Sequence, residues 1–282
     1  MAAFRQPKGR KLHTQIQIAS GRAMLATQVV GEGRPVVFLH ANVCDSRMWH
    51  RQMEAVGADN MAIAYDRRGF GETRTTKENF SAVADLMAVI NAVAKDQPAI
   101  LVGCSHGGKI AIDAALQHPS QVSGLVLIAP SVGGAPEPVH PPEIQQMLAR
   151  QRATEDLGDL DQVNAIKAHL WLDGPLAREE RVAGKPRQLF LDMNGIALRS
   201  PPVGSNLDLA PAFGRLGEIT APALVMWGDL DFPHIQDRCR RVAKMMPKGS
   251  AQEIAGVAHL PGLEQPALIT GPLMSFLQRV TR

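Results

Sequence analysis

Apolar and polar positions change their period along this chain, and the changes mark its elements. Residues 13–31, "HTQIQIASGRAMLATQVVG", alternate and are interrupted at Ser20 and Gly21. A period of two around a Ser-Gly turn predicts a β-hairpin. Short unbroken apolar runs follow: "PVVFLH" (35–40), "MAIAYD" (61–66), "AILVG" (99–103), "VSGLVLIAP" (122–130) and "ALVMWG" (223–228). Runs of that length predict strands covered on both faces, and "AQEIA" (251–255) reads as a last strand. Between them lie stretches with helical spacing: "SRMWHRQMEAV", "FSAVADLMAVINAVAK", "KIAIDAALQH", and segments near 234–246 and 266–280. Strands alternating with helices predict an α/β fold, a mostly parallel sheet with helices on both faces.

One region breaks the alternation. From about 132 to 213 no strand pattern occurs, and proline and glycine crowd both ends, in "PSVGGAPEPVHPPE" and "RSPPVGSNLDLAPAFG". Between them "EIQQMLARQRA", "LDQVNAIKAHLWL" and "PRQLFLDMNGIAL" carry helical spacing. This predicts a helical cap (lid), 132–213, inserted into a core made of 1–131 and 214–282. Strand ends carry the ligand site in open α/β sheets, so such an insertion is expected there.

Composition narrows the class. The 282 residues suit one large domain with an insertion. With 45% hydrophobic and 20% charged residues the chain is of ordinary globular type. A formal net charge of +3 is too small to point to nucleic acid, and aromatic and basic residues do not interleave as in RNA binders. The basic stretch "FRQPKGRKLH" is followed by no apolar segment, so it reads as a solvated tail rather than a signal or membrane anchor. Cys44, Cys104 and Cys239 are odd in number and lack metal-ligand spacing. The expectation is no disulfide framework, no metal and a reduced cytoplasm. Cys104 beside a strand end reads as a small buried space-filler.

The chemistry concentrates in "VGCSHGGKIAIDAALQHP" (102–119). Ser105 stands between a strand and a helix, with Gly103 and Gly107 two residues to either side and Gly108 beyond. A reversal that sharp crowds the flanking positions, and only small residues fit. The pattern Gly-x-Ser-x-Gly in this context is a nucleophile elbow. It lifts the hydroxyl clear of the sheet at a helix N-terminus, whose dipole favours negative charge. The backbone N–H of His106, the residue after the nucleophile, is then an oxyanion donor. A base is offered by His259 in "GVAHLPGLEQP", and an orienting acid by Asp229 or Asp231 in "VMWGDLDFPH". The order Ser, Asp, His fits this elbow and differs from other triad folds.

On these motifs the chain resembles the α/β-hydrolase superfamily from about residue 22 to its end. "LHANVCDSRMW" looks like that family's His-Gly-x loop with its downstream tryptophan. "DRRGFGET" looks like its Asp-x-Arg-Gly-x-Gly-x-Ser loop with Thr73 in the last place. The resemblance lies nearest to hydrolases similar to 3-oxoadipate enol-lactonase and to carboxylesterases. It implies an α/β-hydrolase fold with an inserted helical lid and a triad of Ser105, Asp231 and His259. Asp231 is preferred because the family places the acid fourth in Gly-x-x-Asp, while Asp229 reads as a loop cap. By the same carry-over Asn42 is the second oxyanion donor, although Ala41 stands where the family commonly has glycine. His40, Arg68 and Trp49 read as loop-holding residues.

The expected activity is cofactor-free serine hydrolysis of a small carboxylic ester or lactone through an acyl-enzyme. The alternatives are carbon–carbon bond hydrolysis, thioester hydrolysis or perhydrolysis on the same triad, or ligand capture without catalysis. Trp171, Leu172, Met147 and Phe190 are expected in the pocket wall. The cations Arg150, Arg152, Lys167, Arg178, Arg181, Lys185 and Arg187 read as a solvated face, with attraction of an anionic substrate as the alternative. Neither nucleic acid nor a membrane is an expected partner.

Overall fold

Among the described residues, the hairpin from His13 to Val30 starts a nine-stranded sheet. The structure, a computed structural model, describes residues 13–95 and 97–280. The basic stretch up to Lys11 and Leu12, read above as a tail, lies outside the described residues. The strands are β1 (His13–Ser20), β2 (Ala23–Val30), β3 (Pro35–Leu39), β4 (Met61–Tyr65), β5 (Arg74–Thr75), β6 (Ala99–Cys104), β7 (Val122–Ile128), β8 (Ala223–Gly228) and β9 (Gly249–Ile254). The helices are α1 (His50–Val56), α2 (Ala82–Ala94), α3 (His106–Gln117), α4 (Pro142–Asp156), α5 (Leu160–Ala168), α6 (Lys185–Arg199), α7 (Pro233–Met245), α8 (Pro261–Glu264) and α9 (Pro266–Val280).

The sheet order is β1-β2-β4-β3-β6-β7-β8-β9, and the two-residue β5 pairs with β2. Pairing is antiparallel through β1, β2 and β4 and parallel from β4 to β9. The unbroken apolar runs are explained by this placement. Val37 and Leu39 of β3 join the core under α2, α3 and α7, while Val36 and Phe38 join the core under α1 and α9. Each such side chain is fully buried, and complete burial of an aliphatic of this size contributes about 1.5–3 kcal/mol. The strand β5 was not legible, because two residues carry no period.

Residues 132–213 contribute no strand to the central sheet among the described residues. They form α4, α5 and α6, with α5 running into a π-helical turn at His169–Asp173. Asp159 caps α5 by accepting from the Gln162 N–H at 3.0 Å. After α6 the chain returns to the core by a short lacing. Glu78 N–H donates to Val203 O, Phe80 N–H to Ser205 O, and Leu207 N–H to Phe80 O. Ser81 caps α2 and also donates to Asp208 Oδ1 at 2.7 Å. Among the described residues no helix is long and apolar enough to cross a membrane.

Candidate active site

Ser105 sits between β6 and α3 with φ +53° and ψ −115°. A non-glycine residue in that conformation is strained by order 1–3 kcal/mol and persists only where its surroundings hold it. They do: Ser105 N–H donates to Ile128 O at 2.9 Å, and Ser105 O accepts from Ser131 N–H at 3.0 Å. A side chain on Gly103 would come within 2.5 Å of Gly107 O, and one on Gly107 within 2.1 Å of Leu39 O. The glycines are thus demanded by backbone contact on both sides of the turn. A serine at a helix N-cap normally spends its oxygen on the first-turn N–H groups. Here the side chain makes no capping bond, so the hydroxyl remains available.

His259 lies in the loop between β9 and α8 and is buried. Its Nδ1 is 2.8 Å from Asp231 Oδ2, and Asp231 Oδ1 accepts from the Phe232 N–H at 2.7 Å. An ionised carboxylate only accepts, so Nδ1 carries the proton and Nε2 presents a lone pair. Nε2 is buried and has no hydrogen-bond partner. Asp229, two residues away, is exposed and accepts instead from the Gly256 N–H at 2.7 Å. The tight turn after β8 therefore sends the two carboxylates in different directions, one to the imidazole and one to the loop that carries it.

Ser105, His106, His259 and Asn42 open on one cavity of about 370 Å³. As the first residue of α3, His106 offers an N–H with no acceptor inside the helix. Burial, with Arg67 and Lys109 nearby, lowers the His106 imidazole to about 3, so the ring is neutral at ordinary pH. Ala41 is fully buried and is absent from the residues with positive φ, so the loop after β3 accepts its methyl group. The Asn42 amide is held from the side: Arg67 Nη2 donates to Asn42 Oδ1 at 3.1 Å and to His40 O at 3.3 Å. His40 accepts from Arg67 N–H through Nε2 at 3.0 Å, and its Nδ1 lies 2.8 Å from Ala41 O. Burial keeps that imidazole well below its usual range. Arg68 binds both oxygens of Asp85 at 2.8 and 3.0 Å and the Ser20 carbonyl at 2.7 Å. Thr73 fills the last motif place by donating to Asp66 O at 2.6 Å and accepting from Ala26 N–H at 2.9 Å. Trp49 is fully buried against Phe38.

The opposite wall comes from the helical segment, through Leu148, Gln151, Lys167 and Trp171. Of the four wall residues expected from sequence, the structure brings only Trp171 to this cavity. Met147 is one step around α4 from Leu148 and packs on the core. Leu172 and Phe190 are fully buried in the core under α1 and α9. Helical spacing predicts an apolar stripe but not its neighbour, and one residue rotates the side chain by about 100°. Gln151 and Ser131, which also line the cavity, had no motif to reveal them, and Lys167 was among the cations read as a solvated face. Among the described residues no three His, Cys, Asp or Glu side chains group as a metal site.

The sequence profile described as "Alpha/beta hydrolase family" matches residues 36–270. The chain is 28% identical to a pimeloyl-[acyl-carrier protein] methyl ester esterase of Citrobacter koseri, over 90% of this chain and 98% of that protein. It is also 28% identical to a 2-hydroxy-6-oxononadienedioate/2-hydroxy-6-oxononatrienedioate hydrolase of Burkholderia vietnamiensis, over 86% and 87%. The fold matches an esterase from Exiguobacterium antarcticum with TM-score 0.75 and 21% identity, over 95% of this chain and all of that one. These matches name esterases and a dioate hydrolase and do not single out the enol-lactonase subgroup.

Proposed function

This chain belongs to the alpha/beta hydrolase family, and on that premise we propose that it is a serine hydrolase of small carboxylic esters or lactones. The reading is carried by one observation: an imidazole held by Asp231 through Nδ1, with a free Nε2, shares a cavity with a strained serine whose hydroxyl is not spent on capping. In this reading Ser105 Oγ attacks the acyl carbon as His259 Nε2 takes its proton. The carbonyl π electrons move onto oxygen, where the His106 N–H and a donor from Asn42 receive the charge. Such preorganised donors are worth roughly 3–4 kcal/mol each. Collapse breaks the carbon–oxygen bond, and the proton passes from His259 to the leaving alkoxide. Water, deprotonated by the same nitrogen, then releases the acid and restores Ser105.

Residues 132–213 act as the lid in this proposal. Its support is the wall that α4, α5 and the π-helical turn lend to the cavity. Wall contacts align the acyl carbon with Ser105, where a misplacement of about 1 Å can cost 10²-fold.

A fluorophosphonate that phosphonylates active serines tests the reading. The wild-type chain is expected to label at Ser105 and to hydrolyse p-nitrophenyl esters or lactones. Ser105→Ala should lose labelling and about 10⁴–10⁶ in kcat. A wild-type chain that does not label, or a Ser105→Ala variant within about tenfold of wild type, overturns it. The dioate hydrolase relative favours a second reading, carbon–carbon cleavage on the same three residues. Turnover of a vinylogous diketone acid in preference to every ester would select that reading.

A further inference from the structure

The cavity shared by Ser105 and His259 contains no acidic side chain among its lining residues, and it contains one ammonium, that of Lys167 on α5. The other cations of residues 132–213 are placed differently. Arg181 donates to Glu264 Oε2 at 2.6 Å, and Arg187 donates to both oxygens of Asp173 at 3.0 and 2.9 Å. Arg150, Arg152, Arg178 and Lys185 are exposed to solvent. Lys167 alone among them lines the cavity. Its ion pair with Glu155 is long, at 3.5 Å, and the Glu155 side chain is 40% exposed and not among the lining residues. An ammonium has three N–H donors, so most of its capacity is left for a ligand. The Ser131 hydroxyl opens on the same space; the Gln151 amide donates one N–H to Glu155 Oε1 at 2.9 Å, which leaves its second N–H for a ligand.

A second, independent observation has the same sign. The guanidinium of Arg67 is buried beside Asn42, and no carboxylate forms an ion pair with it among the described residues. Its Nε has no hydrogen-bond partner. A buried cation without a counter-ion is costly, and an anion entering the neighbouring cavity would offset that cost. Asp231, behind the site, is already engaged with His259, and Glu155 is shared between Lys167 and Gln151. Lys167 in the cavity wall and Arg67 beside Asn42 are the positive charges nearest the space a ligand would fill.

From this arrangement we infer that the substrate is an ester carrying a free carboxylate, which the Lys167 ammonium receives with help from Gln151 and Ser131. The inference rests on the serine-hydrolase reading and names the substrate class for it. An uncharged ester leaves the ammonium without a partner in a partly desolvated cavity. An anionic one replaces water with a charge-assisted bond.

The test compares matched ester pairs. In one series the carboxylate is on the acyl side: mono-p-nitrophenyl esters of straight-chain dicarboxylic acids against the same compounds capped as methyl esters. In the other it is on the alcohol side: acyl esters of 4-hydroxybenzoate against those of its methyl ester. The readout is the ratio of kcat/KM for the anionic member to that for its neutral partner. The wild-type ratio should exceed one in at least one series, which also shows the side that bears the charge. Lys167→Met should lower that ratio by about fivefold or more, Lys167→Glu should lower it further, and Lys167→Arg should restore most of it. Added salt should weaken the wild-type preference. Fluorophosphonate labelling of each variant reports whether the site is still assembled. Ratios below one in both series, or a ratio that Lys167→Met and Lys167→Glu leave unchanged in labelled protein, overturn the inference. Absence of labelling in the wild type overturns the serine-hydrolase reading itself.

Discussion

The indole of Trp171 lies against the imidazole of His259, with ring centroids 4.7 Å apart and planes at 55°. Trp171 also meets the ring of Phe232, the residue after Asp231, at 4.7 Å. One aromatic side chain from the helical segment thus touches both His259 and the neighbour of Asp231. Replacing it with alanine removes the wall while leaving the elbow in place. Trp171→Ala should change the order of preference among acyl chain lengths, with short chains losing most because they depend on close walls for alignment. A p-nitrophenyl ester series checks this. A single common factor across the series would make the residue structural only.

The two carboxylates after β8 should separate cleanly. Asp231→Asn leaves packing intact but allows the imidazole to adopt the wrong tautomer, which costs about 10⁴ in kcat in a comparable triad. Asp229→Asn keeps an oxygen that can accept from the Gly256 N–H, so its loss should stay within about tenfold. Steady-state kinetics of both variants on one ester decide the matter. The reverse order would assign the acid to Asp229.

Two glycine replacements should act in opposite directions on stability. Gly107→Ala drives a methyl group to within 2.1 Å of the backbone carbonyl of Leu39 at the end of β3. It should lower stability by about 1–3 kcal/mol or more and lower activity with it. Gly214 lies in the helical turn Ala212–Glu218 with nothing within 4 Å of an added Cβ. Gly214→Ala should raise stability by about 0.5–1 kcal/mol. Denaturant midpoints measure both.

The His259 loop carries a titration that the chemistry does not use. Glu264 accepts from the Ala258 N–H at 2.8 Å and from Arg181 at 2.6 Å. Burial pushes its carboxyl up to about 7, against the favourable effect of Arg181. A pKa raised in the folded state means that the native protein binds the extra proton. The contribution of Glu264 to stability is therefore fully present below about 4.5 and is lost as the pH rises through about 7. Glu264→Gln should remove that slope, and melting temperatures across this window should show a flatter profile for the variant. An unchanged profile would place the carboxyl nearer its ordinary range.

The local pattern of this chain determined its architecture and marked its candidate site. Period-two and unbroken apolar runs mark strands because a strand shows alternate residues to opposite faces, and a sheet covered twice needs both faces apolar. The elbow was equally legible, since the glycines around Ser105 answer to a steric demand within five residues. Distance in sequence was no obstacle for Asp231 and His259, because each follows a strand and parallel strands deliver such loops to one edge. What surrounds the site was decided only in three dimensions. Helical spacing marked Met147, Leu172 and Phe190 as apolar, yet the rotation of each helix turned Leu148 and Trp171 to the cavity instead. The seven cations of residues 150–187 looked alike in sequence, and their roles parted only when Glu264 and Asp173 met two of them and the cavity met Lys167. Arg67 likewise follows Asp66 and adjoins Arg68 in a motif, but its burial beside Asn42 without a counter-ion is a property of the packed loops. Local sequence sets which residues are apolar, small or strained; the partner that covers a side chain or neutralises a charge comes from a distant segment, and only the assembled fold selects it.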